Sequence, residues 1–160
     1  MLTKVYTAAI QGIDAFPVTI ETDGGNGSTF SIVGLPDTAV KESYQRMVSA
    51  VTHTGLSFPH RRTIINLAPA DIKKEGAGFD LPMAIGVLSA HEMIPADHLS
   101  EYMMLGELSL DGSVLPVKGA LPMAVKAREM GFKRLIVPEA NVTEAAVVNR
   151  IAVCGLKPVS

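Results

Sequence analysis

Lys73-Lys74-Glu75-Gly76-Ala77-Gly78-Phe79-Asp80-Leu81-Pro82 runs directly into the apolar Met83-Ala84-Ile85-Gly86-Val87-Leu88, and no other stretch of this 160-residue sequence restricts its fold as much. Before it, Arg62 to Leu67, with Thr63, Ile64 and Ile65, favours a strand that Pro69 closes. Pro82 stands where an early helical residue needs no N–H, and the apolar run after it predicts a helix buried on most sides and ended by Pro95. Two lysines, two carboxylates, two glycines and a helix start therefore meet at one strand-to-helix junction. That is the composition of an active site, or of what is left of one.

The flanking sequence predicts a mixed α/β chain. Strands over Leu2 to Ile10, Phe16 to Ile20 and Thr29 to Val33 are separated by Gly12 and by Gly24-Gly25-Asn26-Gly27-Ser28, the latter read as a hairpin loop. Asp37 is placed to cap a helix from Thr38 to about Thr54, where Val40, Tyr44, Met47, Val48 and Val51 recur at helical spacing before Gly55. Tyr102 to Gly106 and Leu108 to Leu110 meet Asp111-Gly112 and Ser113 to Val117, a hairpin signal. A helix over about Ala120 to Met130, a strand over Arg134 to Val137, a short helix over Glu139 to Val147 and a strand over Arg150 to Cys154 follow. Strands and helices alternate, which gives two layers around one core.

Composition supports a compact chain, with 48% hydrophobic and 19% charged residues. A net charge of −2 exerts no global pull on nucleic acid, so such binding would need a local patch; His60-Arg61-Arg62 and Lys73-Lys74 are the two basic clusters. The single Cys154 cannot form an internal disulfide, and its apolar strand predicts an inert core thiol. The start lacks a leader-like pattern, so a cytoplasmic chain is expected. The apolar run Leu81 to Ala90 falls short of the roughly 18 residues of a membrane span.

Familiar chemistries fail on residue identity. Gly76-Ala77-Gly78 opens a helix after a strand, but a dinucleotide fingerprint needs glycine where Leu81 stands. Gly24 to Thr29 lacks the lysine of a P-loop. His91-Glu92 begins like a zinc-protease helix, yet Pro95 occupies the second histidine's place. Asp71, Glu75 and Asp80 guarantee no octahedral magnesium site, and solvated or capping roles are expected for them. No metal or cofactor is expected in this chain.

Taken together, Ile32-Val33-Gly34-Leu35-Pro36-Asp37, Ala39-Val40-Lys41-Glu42-Ser43, Ile65-Asn66-Leu67-Ala68-Pro69-Ala70, Lys74-Glu75-Gly76, Phe79-Asp80-Leu81-Pro82, Gly106-Glu107-Leu108-Ser109-Leu110-Asp111-Gly112 and Val114-Leu115-Pro116-Val117 resemble the N-terminal domain of the ComM/YifB family, the magnesium-chelatase-related AAA+ ATPases. The resemblance implies a Lon-protease-like, ribosomal-protein-S5-domain-2-like α/β sandwich over residues 1–156, with 157–160 starting a linker to an AAA+ domain. Lon-type proteases use a serine and lysine dyad. Laid over their motifs, the serine position is Gly78 and the lysine position Leu121, so the resemblance implies a scaffold without peptidase activity.

Members of this family resemble hexameric motors that use ATP to drive branch migration of DNA in natural transformation. ATP and magnesium are then expected only in the C-terminal AAA+ domain, and the partners expected here are DNA, that domain and neighbouring subunits. Arg61, Arg62, Lys73 and Lys74, which flank one strand, are the candidate DNA contacts. The alternative is an oligomerisation or protein-docking module, with apolar faces near the Asp111-Gly112 hairpin.

Overall fold

The computed structural model describes residues 1–148 and 150–156. Its centre is a long antiparallel hairpin of β1 (Leu2–Gln11) and β2 (Asp14–Gly25), in register from Leu2 opposite Asp23 to Gln11 opposite Asp14. Gly12, at φ +62°, supplies the left-handed residue that so short a loop requires. β3 (Phe30–Val33) leads through α1 (Thr38–Lys41) and α2 (Ser43–His53) to β4 (Arg62–Ala68). The junction then enters α3 (Asp80–Ala90), and β5 (Tyr102–Met104) returns to the sheet. β6 (Glu107–Leu108) and β7 (Val114–Leu115) form a separate small hairpin before α4 (Ala120–Glu129), β8 (Arg134–Pro138), α5 (Val142–Ala145) and β9 (Ala152–Leu156). The seven-stranded sheet has the order β3-β4-β2-β1-β5-β8-β9.

Strand alternation gives the sheet two apolar faces. Val5 and Ala9 of β1 join Val18, Ile20, Ile65 and Leu67 under α2 and α3, whereas Ala8 joins Met103, Leu135 and Val137 under α4 and α5. The α/β class is as expected, with the helices on opposite faces in the two halves. Each fully buried side chain such as Met83 or Ile65 contributes about 1.5–3 kcal/mol. All of α3 is buried except the half-buried Ile85, and it sits so close to the sheet that a Cβ on Gly86 would lie 2.6 Å from Thr22 Oγ1.

Several expectations are corrected. Gly24 to Gly27 is not a hairpin loop, because β4 takes the place beside β2 and β3 pairs in parallel with β4. The helix expected over Thr38 to Thr54 breaks at Glu42 into two. The buried helix stops at Ala90 rather than near Pro95: Glu92 turns left-handed at φ +60°, Met93 N donates to Leu88 O and Glu92 N to Ser89 O. The segment from Glu139 forms a 3-10 turn, Glu139–Asn141, before the four residues of α5. Cys154 is exposed, because β9 is the sheet's edge strand and its face there is uncovered. Residues 157–160, expected to start a linker, lie outside the described residues.

Candidate functional site

The junction is built by crossing chains. Gly34, at φ +103°, passes so close to β4 that a Cβ would lie 2.3 Å from Leu67 O, so no side chain fits there. Pro36 then bridges Lys74 in parallel, with Lys74 N donating to Leu35 O at 3.0 Å and Asp37 N to Lys74 O at 2.9 Å. Asp37 joins two elements at once. Its Oδ1 accepts from Val40 N at 2.8 Å, the cap expected of it, and its Oδ2 accepts from Gly76 N at 3.1 Å.

Among the described residues, Lys74 is the largest fully buried side chain. Its Nζ donates to Gly34 O at 2.8 Å and to Pro69 O, so the ammonium ties the turn after β3 to the loop between β4 and α3 through two carbonyls. Burial lowers its pKa, opposed by the charge of Asp71. The expectation that Lys74 offers its charge to DNA is therefore corrected: both its charge and its reach are consumed inside the fold.

Asp80, expected to be solvated or capping, is wholly buried. It accepts from Ser43 Oγ at 2.5 Å, Arg46 Nε at 2.6 Å, Arg46 Nη2 at 3.0 Å and Leu108 N at 3.0 Å. One carboxylate thus locks α2, the start of α3 and β6, and the bond to Asp80 raises the Arg46 pKa. Arg46 was missed in the sequence, and Ser43 stood only within a run of the family resemblance; the two stand i,i+3 on a helix, a spacing too common to single them out as partners of Asp80.

Beyond this lock lies a cleft of about 680 Å³ between Gly76 to Phe79 and a wall of Leu105, Glu107 and Pro116 to Lys118. Gly106 N donates to Gly78 O at 2.9 Å and Leu81 N to Gly106 O at 3.0 Å, which fixes one wall to the helix start. Asn141, also missed, fixes the other: its Oδ1 accepts from Val117 N at 3.0 Å and its Nδ2 donates to Val117 O at 2.9 Å. Gly112, at φ +94°, turns the β6–β7 hairpin that carries Glu107 and leads to Pro116. Gly78 opens on this cleft, whereas Leu121 lines an adjoining hollow, and the two meet at Gly12. The described lining holds no Ser, Thr or Cys, only Glu75, Glu107 and Lys118 as charged groups. Asp71, Glu75 and Asp80 do not converge, and among the described residues no cluster of three metal-ligating side chains forms.

The four candidate DNA contacts do not form one patch. Arg61 and Arg62 stand at the start of β4 and Lys73 beyond its end, a strand length of roughly 20 Å away at about 3.3 Å per residue. Lys73 pairs with exposed Glu75 at 3.4 Å. Arg62 lies across the glycine loop, 3.6 Å from Asp23, where a Cβ on Gly25 would come within 2.9 Å of its Nη1. Arg61 is exposed and has no anionic partner among the described residues. No helix among the described residues is long and apolar enough to cross a membrane.

The sequence model of the family described as subunit ChlI of Mg-chelatase matches residues 18–141. Over 149 residues, 92% of the chain, the sequence is 41% identical to the protein YifB of Escherichia coli, and the same figures hold for competence protein ComM of Haemophilus influenzae. The chain spans 29% of the length of each of these curated relatives. It is also 35% identical to Lon protease 2 of Bacillus subtilis over 111 residues, 69% of the chain and 19% of that protease.

Proposed function

The chain belongs to the family of Mg-chelatase subunit ChlI, with ComM and YifB proteins among its relatives, and from that membership we propose that it is the non-catalytic N-terminal module of a ComM-type AAA+ ATPase, helping a hexameric motor engage DNA. In this reading ATP and magnesium are held by a C-terminal AAA+ part, and the whole acts in the cytoplasm on branched DNA taken up in transformation. Gly78 and Leu121, at the places of a Lon-type serine and lysine, support a scaffold that cleaves no peptide.

The observation that carries the DNA reading is Arg61: an exposed guanidinium without an anionic partner, beside Arg62 and His60 at the open end of β4. Two arginines on two phosphates give a log K against log salt slope of about −1.8 on duplex arms. The test titrates labelled single-stranded and branched DNA against the chain and an Arg61→Ala, Arg62→Ala variant at two salt concentrations. Salt-dependent binding that is lost in the variant is expected; a parent chain that binds neither DNA at low salt overturns the assignment.

A second reading, docking between subunits, is favoured by Leu110 and Leu115, which flank the Asp111-Gly112 turn at 56% and 38% exposure. Under it, light scattering finds concentration-dependent oligomers that Leu110→Asp abolishes. A parent chain that stays monomeric at high concentration counts against it.

A further inference from the structure

The tip of the β1–β2 hairpin leans over α4 and encloses a hollow of about 700 Å³ that touches the cleft only at Gly12. Its apolar surface comes from Phe16, Pro17, Leu121, Pro122 and Val125. Leu121 and Val125, four residues apart, lie on one helix face. Ile13 crowns the rim at 88% exposure, in a loop position where a polar residue or glycine is the usual choice. With Leu121, 37% exposed, and Val125 lining the same hollow, Ile13 completes a contiguous apolar surface, and contiguous exposed apolar surface marks contact sites.

The rim is acidic. Among the described residues lining the hollow, Asp14, Glu129 and Glu144 face one cation, Lys126, whose ammonium lies 3.2 Å from Glu129. Neither Asp14 nor Glu144 has a cationic partner among the described residues. This charge repels phosphate and complements lysine or arginine, so the groove does not extend the DNA contact; Arg61 and Arg62 lie at the other end of the hairpin, where Gly25 pairs with Arg62. We propose that the groove docks a basic amphipathic peptide segment of a partner protein. Its aliphatic side chains pack on Ile13, Leu121 and Val125, and its cations face Asp14 and Glu144.

The test uses two labelled amphipathic peptides, one of leucine and lysine at helical spacing and its twin with glutamate for every lysine, followed by fluorescence anisotropy. The lysine peptide binds the chain saturably and about tenfold more weakly to an Asp14→Lys, Glu144→Lys variant, whose fold is checked by circular dichroism. Ile13→Asp weakens binding and Leu56→Asp, at an exposed leucine just after α2, leaves it unchanged. Binding of both peptides alike, equal binding by the charge-reversed variant, or no binding overturns the proposal. So does self-association of the chain lost in Ile13→Asp, which assigns the groove to a second copy.

Discussion

Arg46 on α2 reaches Asp80 at the start of α3 through Nε at 2.6 Å and Nη2 at 3.0 Å, and the carboxylate that receives them is wholly buried. Removing Asp80 leaves Arg46 Nε, the Ser43 hydroxyl and Leu108 N without this acceptor, and Arg46 Nη2 keeps only Ala39 O at 2.7 Å and Ser43 Oγ at 3.2 Å. Asp80→Ala should cost about 3 kcal/mol, the lower end for a broken buried pair, because Arg46 keeps 20% of its side chain in water. Urea unfolding measures this. Asp80→Leu combined with Arg46→Met should lose less than Asp80→Ala alone; a single-variant cost below about 1 kcal/mol contradicts the lock.

Lys74→Met separates scaffold from binding. It leaves Gly34 O and Pro69 O without their donor, which costs about 1–3 kcal/mol per carbonyl, while DNA affinity and its salt slope stay as in the parent. A shallower salt slope in Lys74→Met would return this lysine to the DNA contact.

Two glycines of the junction should respond oppositely. Gly34→Ala forces a Cβ to 2.3 Å from the backbone oxygen of Leu67 at φ +103°, and loss of the folded state is expected. Gly78→Ser meets only the movable end of Leu105 at 3.0 Å, so the variant should fold within about 1 kcal/mol of the parent. With Leu121 in the lysine position, it should still cleave no casein; cleavage would mean that another base serves the cleft.

His91 makes the stability pH-dependent. Its ring is 8% exposed with Nε2 2.8 Å from Thr63 Oγ1, and burial, then Arg61 and the N-terminal amine, hold its pKa below the ordinary 6.5. The unfolded chain therefore binds more protons between the lowered value and 6.5, and stability falls as pH drops through that window. The urea midpoint should decline less on acidification in His91→Leu than in the parent. Equal declines would show that other groups set the slope.

Much of this was legible because it was local. The Asp37 cap, the buried α3 and the Gly112 turn of the β6–β7 hairpin all follow from short-range chemistry. What escaped is long-range: Lys74 looked like a surface cation until its ammonium was found on carbonyls from 40 and 5 residues away, and Asp80 looked solvated until Arg46, 34 residues earlier, closed on it. The left-handed Glu92 that ends α3 carries no glycine to announce it. The parallel pairing of β3 with β4 depended on a crossover that the glycine loop disguised as a hairpin.

In the proposed function, DNA meets this scaffold at the start of β4 and not in the protease-like cleft. Amide chemical shifts of the chain, followed through a titration with branched DNA, test it most directly. Perturbation is expected at His60, Arg61, Arg62 and Gly24 to Gly27, with Gly76 to Gly78 and Lys118 unmoved. Shifts confined to the cleft, or none at all, would contradict it.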